Sequence, residues 1–227
     1  MKYLIEILKN LRFDKYILSE LEKYIPRDGF DFLKLDEYNS MIEHLSQYCV
    51  YQNIIPIMTN NNSDYICVYR DDILHGKVCY LNHEETSLEP RFKDIKNLIK
   101  AINTNPDCWE LMDFPETVFD YPQKNEAFSE EDRIATSLLY NSFNRESDDE
   151  MRTQIAFSIM SLTPPKNLMD IYSFLDSEDM YIQERAIKVF GFHRYKPVVE
   201  KLRDLQITAK HNGKFAAKLA LKRIESE

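Results

Sequence analysis

Two short runs of sequence decide the fold of this chain, Asp64-Tyr-Ile-Cys-Val-Tyr-Arg70 and Lys77-Val-Cys-Tyr-Leu81. Both are rich in β-branched and aromatic residues, which favour extended backbone. Residues 71–76 separate them and end in a glycine, a residue typical of tight turns. We therefore predict a β-hairpin. A short apolar run at residues 54–58 and a polar turn at residues 60–63 precede it.

On either side of the hairpin, apolar residues follow the three-to-four-residue spacing of amphipathic helices. Three such stripes precede the hairpin and one follows it. Their members are Tyr3, Leu4, Ile7, Leu8 and Leu11; Ile17, Leu21, Tyr24 and Ile25; Tyr38, Met41, Ile42, Leu45 and Tyr48; and Phe92, Ile95, Leu98, Ile99 and Ile102. Prolines and scattered aromatic residues fill residues 103–128, which indicates a connector. We therefore predict an α+β domain over residues 1–125.

From residue 129 to residue 227 the sequence is helical, and its apolar positions recur at a constant interval. Ile159, Phe190 and Leu221 form one such series. A constant interval is typical of an α-solenoid built from stacked helix pairs, with an ordinary helical bundle as the alternative. The predicted pairs are 130–145 with 149–162, 166–176 with 180–191, and 196–206 with 213–225. We place Asp149 and Asp179 at helix N-caps and Gly191 at a helix C-cap.

The stretch Asp176-Ser-Glu-Asp-x-x-Ile-Gln-x-x-Ala186-x-x-Val-Phe-Gly191 resembles HEAT repeats. In those repeats an acidic turn leads into a helix that places a small alanine against the next repeat. The short interval is most similar to bacterial HEAT-like units. The resemblance implies an all-α HEAT-like domain over residues 129–227.

A linked series of motifs in the first domain resembles the SUKH superfamily, which contains Syd, the fungal cell-wall-assembly regulators and many bacterial immunity proteins. The motifs are Ile55-Pro-Ile57, a polar turn, Asp64-Tyr-Ile-Cys-Val-Tyr69, Gly76-Lys-Val-Cys-Tyr-Leu81, His83-Glu-Glu85 and a helix that begins near Phe92. The resemblance covers residues 54–102 and implies a SUKH-like sheet-and-helix domain. Asp28-Gly29 is the nearest candidate for the turn that members carry near the N-terminus.

Bacterial SUKH members are typically antitoxins, so the resemblance implies a non-catalytic immunity protein that binds and neutralises a cognate toxin, for example a nuclease. The charge agrees with a basic protein partner. The net charge is −9, and residues 101–180 carry 17 acidic but 5 basic side chains. Acidic surface complements a phosphate-binding nuclease and speeds their encounter. An interaction adaptor without a toxin partner is the alternative, and a HEAT-like enzyme that binds nucleic acid through its basic C-terminal helices is the third.

The sequence contains no complete set of residues for a phosphate-binding loop, a zinc protease or another metal site. We therefore predict no enzyme activity, no cofactor and no metal. Only 4 glycines occur, and none are clustered as a phosphate-binding loop requires. His83-Glu84-Glu85 lacks the second histidine of a zinc-protease helix. His75 and Cys79 lack a third ligand. The four cysteines show no paired motif, and we expect buried thiols in a reducing compartment.

The remaining expectations concern location and contact surface. No apolar run is long enough for a membrane span, and the N-terminus lacks the pattern of a signal peptide, which predicts a cytoplasmic protein without membrane association. We do not expect nucleic acid to be the main partner, and the sequence predicts no particular oligomeric state. Trp109 either closes the seam between the two domains or anchors an interface. The candidate partner-binding residues are Asp71, Asp72, Glu84 and Glu85 around the hairpin, and Trp109, Glu110, Asp113 and Glu116 in the acidic stretch.

Overall fold

The structure, a computed structural model, describes residues 1–70 and 72–226, and for Asp72 the backbone alone. Over these residues the chain is a mainly helical α+β protein with one small antiparallel sheet, which confirms the predicted class. The chain divides into two compact units, Met1–Tyr121 and Pro122–Glu227. All four strands lie in the first unit, and the described part of the second contains helices and loops.

The sheet of the first unit has the order β1-β2-β3-β4, and each neighbouring pair is antiparallel. The strands are β1 (Asp31–Phe32), β2 (Ile54–Thr59), β3 (Tyr65–Tyr69) and β4 (Val78–Leu81). β3 and β4 pair in the register Tyr65 with Leu81 and Cys67 with Cys79, so the predicted hairpin is confirmed. The β2–β3 register shifts between Pro56 and Met58, since proline has no N–H to donate to a ladder.

Four α-helices of the first unit follow the predicted apolar stripes. They are α1 (Lys2–Asn10), α2 (Lys15–Lys23), α3 (Leu35–Leu45) and α4 (Ile95–Thr104), with short 3-10 turns at Cys49–Tyr51, Asp72–Leu74 and Leu111–Asp113. Their buried residues join those of the sheet in one core that contains Leu4, Leu8, Ile57, Val78 and Leu98. Three stripe members are corrected. Phe92 precedes α4 and instead forms a β-bridge with Val78. Ile25 is 83% exposed and Tyr48 is 47% exposed, and both lie beyond the ends of α2 and α3.

The second unit consists of successive helix pairs, as predicted. Its segments are α5 (Glu130–Phe143), α6 (Asp149–Leu162), a 3-10 segment (Pro165–Asp176), α7 (Met180–Phe192), a 3-10 turn (Lys196–Val198), α8 (Val199–Thr208) and α9 (His211–Glu225). The first helix of the middle pair is a 3-10 helix that begins at two consecutive prolines. The series Ile159, Phe190 and Leu221 is buried in the core of this unit.

The repeat interval is visible at the helix N-termini. The residues preceding α6, α7 and α9 are Asp148, Asp179 and Lys210, evenly spaced along the chain. Asp148 accepts a hydrogen bond from the Met151 N–H, so it is the N-cap in place of the predicted Asp149, which lies inside α6. Asp179 caps α7, as predicted. Lys210 has no acceptor to offer, so α9 begins without a side-chain cap.

Gly191 is not a helix C-cap, because α7 continues past it to Phe192. It lies where α7 crosses α9. A Cβ at position 191 would stand 2.7 Å from the Ala220 Cβ and 2.8 Å from the Ala220 Cα. Such distances are shorter than carbon atoms tolerate, and the second one involves backbone. The close approach of α7 and α9 therefore requires a glycine here.

This contact can be tested by moving one methyl group. We expect Gly191→Ala to lower the free energy of unfolding by about 1–2 kcal/mol, because the overpacking exceeds the better helix propensity of alanine. The double variant Gly191→Ala with Ala220→Gly should recover only part of that loss, because it removes the clash with the Ala220 Cβ but not the one with the Ala220 Cα. Urea denaturation with circular dichroism measures both effects. Additive effects of the two substitutions would contradict the contact.

Candidate functional site

A groove of about 410 Å³ opens on the first unit where the 60–63 turn meets the segment around Trp109. Its lining combines carboxylates, amides and one large aromatic side chain. The lining residues are Asp28, Gly29, Asp31, Asn60, Asn61, Asn62, Trp109, Glu110 and Asp113. Among the described residues that line it, none is Lys or Arg. The indole of Trp109 is 64% exposed, so the groove presents an aromatic face beside four carboxylates.

Arg27 and Gly29 hold the Trp109 segment in place. The Arg27 guanidinium donates hydrogen bonds to the Cys108 carbonyl at 2.6 Å, to the Asn105 carbonyl at 2.9 Å and to the Ile102 carbonyl at 3.3 Å. Gly29 has φ +83°, and a Cβ on it would stand 1.6 Å from the Trp109 carbonyl oxygen. The backbone of Trp109 can lie against this turn because residue 29 has no side chain.

Asp113 fixes the same segment from within. Its carboxylate accepts the backbone N–H of Trp109 at 2.9 Å and that of Glu110 at 3.2 Å. The main chain of Trp109 is therefore held on both sides while its side chain extends into solvent. This exposure leaves the indole available for contact.

The 60–63 turn forms the opposite wall of the groove. Asn61 and Ser63 adopt positive φ values of 60° and 65°, which are uncommon for residues with a Cβ. Side-chain hydrogen bonds join the turn to the carboxylates. The Asn60 amide donates to Glu110 at 3.2 Å, and the Asn61 amide donates to Asp31 at 3.1 Å. The amides hold these two carboxylates in fixed positions without neutralising their charge.

Behind this turn lies the buried carboxylate of Asp64. It accepts the His83 backbone N–H at 2.9 Å, the His83 Nδ1 at 2.8 Å and the Asn60 amide at 2.8 Å. Burial opposes ionisation of Asp64, yet the hydrogen bonds from His83 and Asn60 hold the pKa of its carboxyl below the ordinary value. The hydrogen bond to Asp64 raises the pKa of His83 above its ordinary value of 6.5.

His83 also lines a second cavity of about 380 Å³, which Ser63 at the end of the 60–63 turn lines as well. That cavity contains two of the predicted site residues, Glu84 and Glu85, together with His44, Tyr51 and Tyr65. An imidazole backed by a buried carboxylate can act as a proton acceptor. Within the described residues, however, no group of three or more His, Cys, Asp or Glu side chains comes together as a metal site.

The structure therefore distributes the predicted site residues over separate places. Trp109, Glu110 and Asp113 lie together in the acidic groove, and Glu84 and Glu85 lie at the second cavity. Glu116 is exposed but lines neither cavity. Asp71 lies outside the described residues, and Asp72 begins the short 3-10 turn Asp72–Leu74.

Sequence reasoning missed Asp28, Asp31 and the three asparagines as members of the groove. Their only signal was their turn-forming composition, Asp28-Gly29 in one place and Asn60-Asn61-Asn62 in the other. Composition of that kind predicts a turn but not which distant segment packs against it. Asp113 was predicted as a contact residue, and the structure adds an internal role as the acceptor for two backbone N–H groups.

Comparison of the chain with protein families, with curated proteins and with solved structures finds no match. In the part of the chain that the structure describes, each helix is too short or too polar to cross a bilayer.

The link between Asp64 and His83 predicts a pH effect. The folded-state pKa of His83 lies above its unfolded value and that of Asp64 lies below its own, so the ion pair stabilises the fold fully between about pH 4 and pH 6.5. This stabilisation is lost as the pH rises through the raised pKa of His83 or falls through the lowered pKa of Asp64. We expect Asp64→Asn to bring the titration midpoint of His83, followed by NMR, down toward the ordinary value. Glu84→Gln should move it less, because Glu84 acts through charge alone at an exposed site. Equal shifts in both variants would contradict the hydrogen-bonded pair.

Gly29 provides a second test, with Gly76 as its matched control. Both glycines have positive φ, but a Cβ on Gly76 would meet nothing within 4 Å. Each substitution by alanine should cost about 1–3 kcal/mol of stability through backbone strain. Gly29→Ala should cost more and should also shift the fluorescence of Trp109, the single tryptophan of the chain, because it displaces the Trp109 backbone. Unchanged fluorescence in Gly29→Ala would contradict the described packing.

Proposed function

We propose that this chain is a non-catalytic immunity protein that binds a basic toxin domain, for example a nuclease, and neutralises it in the cytoplasm. The observation that carries the proposal is the acidic groove, in which the exposed Trp109 side chain stands beside Asp28, Asp31 and Glu110. The resemblance of residues 54–102 to SUKH immunity proteins supplies the biological context.

The groove suits a basic protein surface for two physical reasons. Its carboxylates create a negative potential that attracts Lys and Arg side chains and accelerates encounter. The indole offers a flat face on which a guanidinium can stack, an interaction worth about 0.5–2 kcal/mol. Tryptophan is also enriched among the few side chains that contribute most of the binding energy at protein interfaces. An arginine-rich partner would meet both features at once.

The architecture supports the proposed domain identities. A SUKH-like domain over residues 1–125 is supported by the antiparallel β3–β4 hairpin and the helices packed on its sheet. A HEAT-like domain over residues 129–227 is supported by the equal spacing of Asp148, Asp179 and Lys210 before α6, α7 and α9. The packing of Gly191 on Ala220 further supports close stacking of consecutive repeats.

Nucleic acid is disfavoured as the partner, because several basic side chains of the last helices are already engaged. Lys201 pairs with Asp176, and Arg203 pairs with both Glu200 and Glu225. The Lys210 ammonium donates to the Glu178 carbonyl. Phosphate contacts require cations free to replace the counterions of the nucleic acid.

Co-expression with the protein encoded beside this chain in its genome tests the proposal, which requires that neighbour to be the toxin. We expect wild-type protein to restore growth and to copurify with the toxin, and Trp109→Ala to weaken both effects. Growth restored equally by a variant that no longer copurifies would contradict neutralisation by binding. A stable complex with a non-toxic neighbour, without any effect on growth, would identify an adaptor instead.

Binding kinetics should separate the surfaces. We expect Asp28→Lys with Glu110→Lys to lower the association rate about tenfold or more at low salt, and added salt to reduce the difference. Glu84→Lys with Glu85→Lys should also lower it. Trp109→Ala should raise the dissociation rate about thirtyfold, as expected for an anchor worth about 2 kcal/mol.

Lys214→Glu with Lys218→Glu is the matched control, and its association rate should stay unchanged or rise. Loss of binding in this control alone would move the contact surface to the helical unit and refute the groove as the binding site.

A further inference from the structure

Cys67 and Cys79 face each other across the β3–β4 ladder. They are direct partners in the antiparallel register, and both side chains are fully buried. Directly paired residues on antiparallel strands have Cα atoms about 4.5–5.5 Å apart, and disulfides form over Cα separations of about 4.4–6.8 Å. The pairing therefore places the two thiols within bonding range without any rearrangement of the strands.

The other two cysteines occupy different surroundings. Cys49 is exposed and Cys108 is half-buried, so the sequence-based expectation of four buried thiols holds only for Cys67 and Cys79. Exposed thiols are open to any reagent in solution. Cys67 and Cys79 have no exposed surface, so an oxidant reaches them only when the structure opens locally.

The position of β4 provides the access route. β4 is the last strand of the sheet, and on its outer side Val78 pairs with Phe92 in a single isolated bridge. Edge strands with few ladder bonds open locally more readily than central strands. Opening of β4 would uncover Cys79 first, while Cys67 on β3 stays between two neighbouring strands.

We propose that Cys67 and Cys79 form a peroxide-sensitive dithiol that closes to a disulfide across the β3–β4 hairpin. The Cys79 thiolate attacks one oxygen of hydrogen peroxide, the O–O bond breaks and hydroxide leaves, which produces a sulfenic acid. The Cys67 sulfur then displaces hydroxide from that sulfenic acid and forms the S–S bond. Two thiols and one peroxide give one disulfide and two waters, so the thiols lose two electrons and the peroxide gains them.

Two features set the speed and the selectivity of this reaction. Burial raises the pKa of the Cys67 thiol, and the thiolate is the reactive form, so Cys67 is a poor first nucleophile and the reaction waits for β4 to open and uncover Cys79. The paired sulfur then captures the sulfenic acid before a second peroxide arrives. A sulfenic acid without such a neighbour proceeds to sulfinic and sulfonic acids.

The test uses the full-length variant Cys49→Ser with Cys108→Ser, in which only the buried pair can react. Removing Cys49 also simplifies the mapping, because Cys49 and Cys67 lie on the same tryptic peptide, residues 35–70. After peroxide treatment in native buffer, we expect the intact mass to fall by two hydrogens. Peptide 35–70 should be found linked to peptide 78–91, and dithiothreitol should reverse the link. Mild urea should accelerate the reaction by promoting local opening.

The control adds Cys79→Ser to the same background and should gain oxygen or stay unreacted, with no loss of hydrogen. Wild-type protein mapped with chymotrypsin tests the inference without any substitution. An unchanged mass, irreversible oxygen addition in place of the crosslink, or disulfide-linked dimers on a non-reducing gel would each overturn it. None of these outcomes depends on the toxin partner.

Discussion

The buried carboxylate of Asp64 is the interaction on which the first unit depends. It lies just before β3, and it joins the end of β2 through Asn60 to the end of β4 through His83. A buried charge is tolerated only where hydrogen bonds replace the lost water. Three donors do so here, and one of them, the Asn60 amide, also reaches Glu110. The strand ends, the strained turn and the acidic groove therefore form one connected hydrogen-bonded assembly.

The local sequence pattern predicts much of this fold because the contacts that define it join segments close together in the sequence. The β3–β4 hairpin and the helix pairs of the second unit join neighbouring segments, so composition and periodicity suffice to find them. The residues at which helices end were harder to predict from the sequence. Ile25 and Tyr48 continue the apolar spacing of α2 and α3, yet both follow the residue where the helix ends. Gly191 showed the same limit, since a glycine near a helix end indicates a cap unless a neighbouring helix needs the space.

The acidic groove was predicted only in part because long-range packing builds it. Arg27 holds carbonyls more than seventy residues further along the chain, and Gly29 receives the backbone of Trp109. No periodicity connects such segments. The acidic stretch around Trp109 was visible as an excess of charge, and three of the partner-binding candidates predicted there, Trp109, Glu110 and Asp113, line the groove. The opposite wall was hidden in turn-forming residues whose partners only the folded chain reveals.

The same carboxylates have structural and electrostatic roles that do not compete. Asp113 accepts two backbone N–H groups, and Asp31 and Glu110 each accept one amide. These donors are neutral, so the groove keeps its full negative charge while its geometry is already set. A cationic partner would therefore add charge pairs to a preorganised surface instead of displacing internal ones, and little ordering cost would oppose its binding. A groove stabilised by its own lysines or arginines would have to break those pairs first.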